Sequence, residues 1–246
     1  MYFNSKPKES TEKQDIVLSA LPGGALAGCV LFLGSSLQQI GLSDTTAGKA
    51  AFITGLYMVI VPLLGIFLKH RVHINTWIGV TLAVVGLYFL SVTESFSIGK
   101  GDLVELAGAV FWAIHILTID HFAKKVDALK LSFVQFVTCS ILSMSVALIF
   151  EKITVYGLTQ ALIPILYGGI GSVGIAYTLQ IIGQKHAKPS HAAIILSLES
   201  LFAAIGGLLI LHEYLGGRAY VGCALMLAGM LLSQMKSGSN DIVAIQ

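Results

Sequence analysis

Eight long apolar runs limit what this chain can fold into. Each is about 17–25 residues long, the length that an α-helix needs to cross the hydrocarbon core of a bilayer. They occupy residues 16–40, 48–68, 75–93, 102–122, 131–150, 162–184, 190–211 and 218–235. Only 11% of the 246 residues are charged, against about a quarter in a soluble domain. The chain is therefore predicted to be an all-α, multi-pass transmembrane helical bundle.

The polar segments between the runs indicate an orientation. The opening segment 1–15 has no apolar core, so we expect the first run to act as an uncleaved insertion signal. With this segment in the cytoplasm, eleven basic residues fall inside and four outside, the latter being Lys49, Lys100, Lys152 and Arg218. This positive-inside bias predicts a multi-pass protein of the cell (inner or plasma) membrane. Both termini, including the tail 237–246, are predicted to be cytoplasmic.

Sequence patterns of enzymes and metal sites do not appear. There is no HExxH, Walker sequence or cysteine pair, and the three cysteines lie in three different runs. The GxGxxG match in GGIGSVG (168–174) has no strand before it. Its glycines are predicted instead to let helices approach closely. We therefore expect no enzyme activity and no cofactor, and the net charge of +2 gives no indication of a nucleic-acid partner.

The sequence repeats itself at an offset of 142 residues. LQQIGLSDTTAGKAAFITGL (37–56) then lies over LQIIGQKHAKPSHAAIILSL (179–198). After one inserted residue two glycine pairs also coincide, Gly79 with Gly222 and Gly86 with Gly229. The run 16–40 and its mate 162–184 have opposite predicted directions, which indicates inverted repeats as in many secondary transporters. The predicted halves are 16–93, with three helices, and 102–236, with five.

Three segments carry a resemblance to a known family: GAVFWAIHILTID (108–120), AAIILSLESLFAAIGGLLILHEYL (192–215) and YVGCALMLAGMLL (220–232). In these segments the chain resembles EamA-type proteins of the drug/metabolite transporter superfamily, and Glu213 fits the glutamate near the end of that family's repeat. The resemblance implies ten helices in two inverted five-helix halves. By that comparison we expect the first two of the ten helices to be missing here.

Seven side chains at membrane depth are the candidate solute-binding residues: Glu199, Tyr57, His115, Trp112, Gln38, Gln180 and Tyr177. Glu199 interrupts the run 190–211, where a carboxylate costs roughly 2–4 kcal/mol, and Tyr57 is its repeat mate. We predict that Glu199 binds a cationic group on the solute or carries a proton exchanged for it. The alternative is a hydrogen-bonded acid that serves packing.

The other candidates leave two interpretations open. Trp112 and His115 lie three residues apart and hence on one helical face. There Trp112 can stack on an organic solute and His115 can bind it or relay a proton, or both can serve packing. Gln38 and Gln180 are repeat mates, with Tyr177 one turn before Gln180. Their amides can line a shared cavity or bridge helices.

The function predicted from these features is transport. The chain is expected to export small metabolites or amphipathic compounds by alternating access between the two halves, driven by a gradient or by exchange. Its predicted partners are a small-molecule solute and the lipid bilayer, with a homodimer left open. The alternative function is that of an N-terminally truncated, non-transporting membrane protein or scaffold subunit.

Overall fold

The described part of the chain is helical throughout. The computed structural model describes residues 8–92, 98–210, 212 and 216–235, without the side chains of 8–18 and Gly207. In chain order the helices are α1 (Lys8–Leu42), α2 (Ala47–Gly55), α3 (Tyr57–Phe67), α4 (Ile74–Ser91), α5 (Lys100–Ala123), α6 (Ala128–Phe150), α7 (Val155–Gln160), α8 (Leu162–Leu166), the π-helical segment π1 (Tyr167–Tyr177), α9 (Thr178–Gln184), α10 (Pro189–Ser197), α11 (Glu199–Ile210) and α12 (Gly217–Gln234). The predicted all-α class is confirmed.

Seven of the eight predicted spans are confirmed as helical stretches long and apolar enough to cross a membrane. They are helical because a backbone in lipid has to satisfy its own hydrogen bonds. The eighth, α12, is 18 residues long, carries Arg218 in its first turn and falls outside those seven. Residues 1–7, Glu213 and the predicted tail 237–246 lie outside the described residues. The split into inverted halves and the two missing helices stay predictions.

The chain forms two compact units. Unit 1 comprises Met1–Phe32 and Thr118–His186, and unit 2 comprises Leu33–Leu117 and Ala187–Gln246. Unit 1 has a small core of buried apolar residues from α1, α5, α6 and α9: Ala27, Ile119, Ala123, Leu131 and Ile181. Unit 2 has a larger core from α3, α4, α5, α10 and α12, which includes Met58, Val61, Leu87, Ala113, Ile194 and Met226.

Helices α4 and α12 of unit 2 pack through four glycines in reciprocal pairs. A Cβ on Gly79 would lie 2.5 Å from the carbonyl oxygen of Gly229, and a Cβ on Gly229 would lie 2.5 Å from that of Gly79. Gly86 and Gly222 show the same reciprocity at 2.6 Å. In the sequence repeat, Gly79 matches Gly222 and Gly86 matches Gly229. Gly79 therefore contacts the repeat mate of Gly86, and Gly86 contacts the repeat mate of Gly79. A two-fold axis between the two helices produces this exchange.

The span at 162–184 differs from its prediction in one respect. Its middle part, π1, comprises 11 of the 23 residues, contains GGIGSVG and is wound as a π-helix. This fits the low α-helix propensity of glycine. The prediction that these glycines let helices approach closely is wrong in the described structure. Apart from chain neighbours and the nearby backbone of their own helix, no described atom lies within 4 Å of a Cβ built on Gly168 or Gly169. The nearest such atoms to Gly171 and Gly174 belong to π1 itself.

Candidate functional site

Two predicted spans of unit 2 are broken near their middle, at repeat-equivalent leucines. Leu56 separates α2 from α3, and Leu198 separates α10 from α11. Each leucine N–H donates to a carbonyl only three residues earlier, Ile53 and Ile195 respectively, both at 3.1 Å. Both leucines keep right-handed helical φ and ψ, so each span continues through one 3₁₀-type turn. Such a turn in the middle of a helix often marks a functional hinge. We call these positions the two helix breaks.

Each break has a local cause. Before Leu198, the hydroxyl of Ser197 donates to the carbonyl oxygen of Ile194 at 2.7 Å, and serine bonds of this type bend helices. The repeat mate of Ser197 is Gly55, a poor helix former. A Cβ on Gly55 would also collide with the side chain of Leu87. Neither break needs a proline, since Pro62 lies inside α3.

Glu199 and Tyr57 are the first residues after the two breaks. Glu199 begins α11 and is exposed on unit 2. Tyr57 begins α3 but is half-buried, and it packs against the core cluster that includes Leu198. The predicted equivalence thus holds for the backbone position and not for the burial. The binding roles of both residues stay predictions.

The other candidates of unit 2 lie along α1 and α5. The rings of Trp112 and His115 meet edge to face with centroids 6.1 Å apart, as their spacing predicts, and His115 is fully buried. A Cβ on Gly34 would lie 3.4 Å from the Trp112 ring, and one on Gly108 would lie 3.5 Å from the backbone nitrogen of Gln38. Helices α1 and α5 therefore pack together beside these candidates, at distances that a Cβ at either glycine would tolerate.

The remaining two candidates belong to unit 1. Tyr177 is the last residue of π1, Gln180 lies in α9, and both are half-buried. Their pairing with residues of unit 2 stays a prediction. Within the described ranges, no three His, Cys, Asp or Glu side chains come close enough together to hold a metal ion.

The structure adds two carboxyls that were not predicted as site residues, Asp102 and Glu105 in the first turns of α5. Asp102 accepts hydrogen bonds from the hydroxyl of Thr45 and, at 2.8 Å, from the backbone N–H of Gly99. Asp102 also forms an ion pair with Lys49, whose Nζ lies 3.8 Å from Oδ2. The side chain of Asp102 is therefore held as a well-partnered anion at the edge of unit 2.

Glu105 lies one turn deeper and is fully buried. Its Oε2 accepts a hydrogen bond from the hydroxyl of Thr54 in α2 at 2.9 Å. Its Oε1 accepts none from the residues that the structure describes. The only signal for this pair in the sequence is the i, i+3 spacing of two acids at the start of an apolar run. That signal does not distinguish an interfacial carboxyl from a buried one.

Seven helical stretches long and apolar enough to cross a membrane define the class: this is a multi-pass helical membrane protein. Comparison with known proteins gives the family. A model of the EamA-like transporter family matches residues 5–92 and 99–235. The chain belongs to this family, which confirms the resemblance of its motifs.

The relatives agree with that assignment. An uncharacterized transporter of Archaeoglobus fulgidus is 33% identical over 219 residues, which are 87% of this chain and 68% of that protein. An uncharacterized transporter of Methanothermobacter thermautotrophicus is 24% identical over 200 residues, which are 78% of this chain and 58% of that protein. A solved crystal structure matches with a TM-score of 0.72 at 19% identity, covering 89% of this chain and 86% of that one. It supports the fold alone.

Proposed function

We propose that this chain exports small metabolites or amphipathic compounds, by alternating access between two inverted halves, 16–93 and 102–236. A gradient or an exchanged solute drives it, in the cell membrane with both termini in the cytoplasm. The observation that carries the proposal is the pair of helix breaks at Leu56 and Leu198. Matching 3₁₀-type turns at repeat-equivalent positions are expected where two inverted halves each contribute one hinged helix to a solute site.

Two further observations support the inverted halves. The glycines of α4 and α12 contact one another's repeat mates, as a two-fold axis between these helices requires. The two segments that the family model matches, 5–92 and 99–235, also correspond to the two proposed halves. Membership in a transporter family in turn favours transport over catalysis.

Glu199 is the residue that we assign to solute binding. It is exposed beside a break, so a solute can reach it without unfolding a helix. A carboxylate in a low-dielectric setting attracts cations strongly. An amphipathic cation is therefore the solute class that this position fits best, with its apolar part against aromatic side chains such as Trp112.

The test is counterflow in proteoliposomes. The probes are ethidium, an aromatic cation, and a radiolabelled neutral amino acid as a comparison. We expect the wild-type protein to move ethidium and Glu199→Gln, inserted at the same level, to lose about tenfold or more of that flux. Such a loss corresponds to about 1.4 kcal/mol or more. The flux is measured at ethidium concentrations well below saturation, and the loss should include the part of its pH dependence that comes from solute binding.

A matched control is Glu151→Gln, because Glu151 is exposed in the connection between α6 and α7. Its flux should equal that of the wild type. Movement of neither probe by inserted wild-type protein would contradict this proposal and favour a non-transporting membrane protein. Unchanged ethidium flux in Glu199→Gln would return Glu199 to a packing role.

A further inference from the structure

Glu105 is fully buried in a close contact between α1 and α5. A Cβ built on Gly41 of α1 would lie 2.6 Å from Cγ of Glu105 and 2.8 Å from its Oε1. The carboxyl group therefore lies directly against the backbone of Gly41, at a position where only glycine fits. On the next turn, a Cβ on Gly101 would lie 2.8 Å from the carbonyl oxygen of Gly41. Helices α1 and α5 are thus closed around Glu105.

The hydrogen bonds of Glu105 suit an acid better than an anion. A buried carboxylate is stable when several donors surround it, and here the Thr54 hydroxyl is the donor to Oε2 while Oε1 has no donor among the described residues. A hydroxyl can donate or accept. The same 2.9 Å contact can therefore hold either protonation state, but only the acid leaves no anionic oxygen unpartnered.

The charges around Glu105 belong to the elements packed against it. Near this end α5 contributes Lys100 and Asp102, α2 contributes Lys49, and the connection after α1 contributes Asp44. Lys49 forms its ion pair with Asp102, so its charge is already shared. The nearest carboxylate on the helix of Glu105, one turn away, is Asp102, and it opposes a second negative charge there.

We propose that Glu105 is a proton-binding site that controls the opening of this end of unit 2. It holds a proton while α1, α2 and α5 are closed around it and releases that proton when the contact opens. On opening, the O–H bond of the acid breaks, the proton passes to water and the electron pair stays on the carboxylate. Closing takes a proton back. The gating part rests on the proposed transport function, whereas the proton binding does not.

The sign of the pH effect follows from this balance. The closed arrangement holds one proton more than the open arrangement. Lower pH therefore favours the closed arrangement and higher pH the open one. The population ratio changes by at most about tenfold for each unit of pH, since one proton is exchanged.

The first test is infrared difference spectroscopy of the detergent-solubilised protein during a pH titration. We expect a carbonyl stretch of a protonated carboxylic acid that is absent in Glu105→Gln and retained in Asp102→Asn. Thr54→Val should shift this band and Thr54→Ser should leave it in place, because only valine removes the hydroxyl. These two variants test the site even where Glu105→Gln folds poorly. A spectrum that none of these substitutions at residues 54 and 105 changes would overturn the proposal.

The second test measures opening directly. In a variant without Cys29, Cys139 and Cys223, the buried Ala50 of α2 is replaced by cysteine. Its rate of maleimide labelling in detergent is divided by the rate at Ser43→Cys, an exposed position that corrects for thiol ionisation. We expect this ratio to rise about tenfold as pH rises through the titration of Glu105, and to stay low in Glu105→Gln.

An equal rise of the labelling ratio with pH in Glu105→Gln would contradict the proposal that Glu105 controls opening. Both measurements are made without solute, so their failure is distinguishable from a failure of transport. A positive spectrum together with no counterflow of either probe would leave the proton site standing and contradict the transport proposal alone.

Discussion

Two glutamates of unit 2 lie within predicted membrane spans, and they differ in solvent exposure. Glu199 follows a helix break and is exposed, while Glu105 lies inside a regular helix and is fully buried against Gly41. A carboxyl inside an apolar span is costly in either place. The difference fits the two separate roles that we propose, solute binding at Glu199 and proton binding at Glu105.

The largest expected effect concerns which side of the membrane each loop faces, because a cysteine in a loop should react with reagent from one side only. Single cysteines near Lys69 and Lys124 are expected to react only with reagent on the cytoplasmic face. A cysteine near Glu151 is expected to react only from outside. This places the closed end around Glu105 at the external face. The reverse pattern would move that end to the cytoplasm and overturn the inverted orientation of the halves.

Replacing each of the two glutamates by alanine should lower the free energy of unfolding by different amounts. Glu105→Ala removes a buried side chain and leaves Thr54 without its acceptor, so we expect a loss of about 2–4 kcal/mol in the free energy of unfolding. Glu199→Ala changes an exposed side chain and should stay within about 0.5 kcal/mol of the wild type. Thermal unfolding in detergent measures both. Equal losses would show that the two environments do not differ as described.

Gly41→Ala tests the close contact between Gly41 and Glu105 by adding one methyl group. A methyl group there overlaps the Glu105 side chain, and we expect a loss of about 1–3 kcal/mol from overpacking. Gly183→Ala is the matched control, since a Cβ at that helical position would meet no described atom within 4 Å beyond its chain neighbours and the nearby backbone of its own helix. An equal response of the two variants would mean that α1 does not enclose Glu105.

The sequence predicted the membrane spans well wherever the length of an apolar run was sufficient evidence for a helix. Run length alone was enough for the spans from 16–40 to 190–211, because a backbone in lipid has to be helical. The break at Leu198 could not be foreseen, since leucine is a good helix former and the cause is a serine hydroxyl one residue earlier. Glu105 was missed for a tertiary reason. Its burial depends on Gly41 and Thr54, which lie more than fifty residues away in the sequence.

The most direct measurement is the concentration dependence of ethidium flux in proteoliposomes, compared for the wild type, Glu199→Gln and Glu105→Gln at several pH values. If Glu199 binds solute, its variant raises the half-saturating concentration of ethidium. If Glu105 controls opening, its variant lowers the maximal flux, leaves the half-saturating concentration unchanged and removes the pH dependence of the maximal flux. The same parameter changed by both variants, or a pH profile unchanged in Glu105→Gln, would contradict the division of roles between the two glutamates.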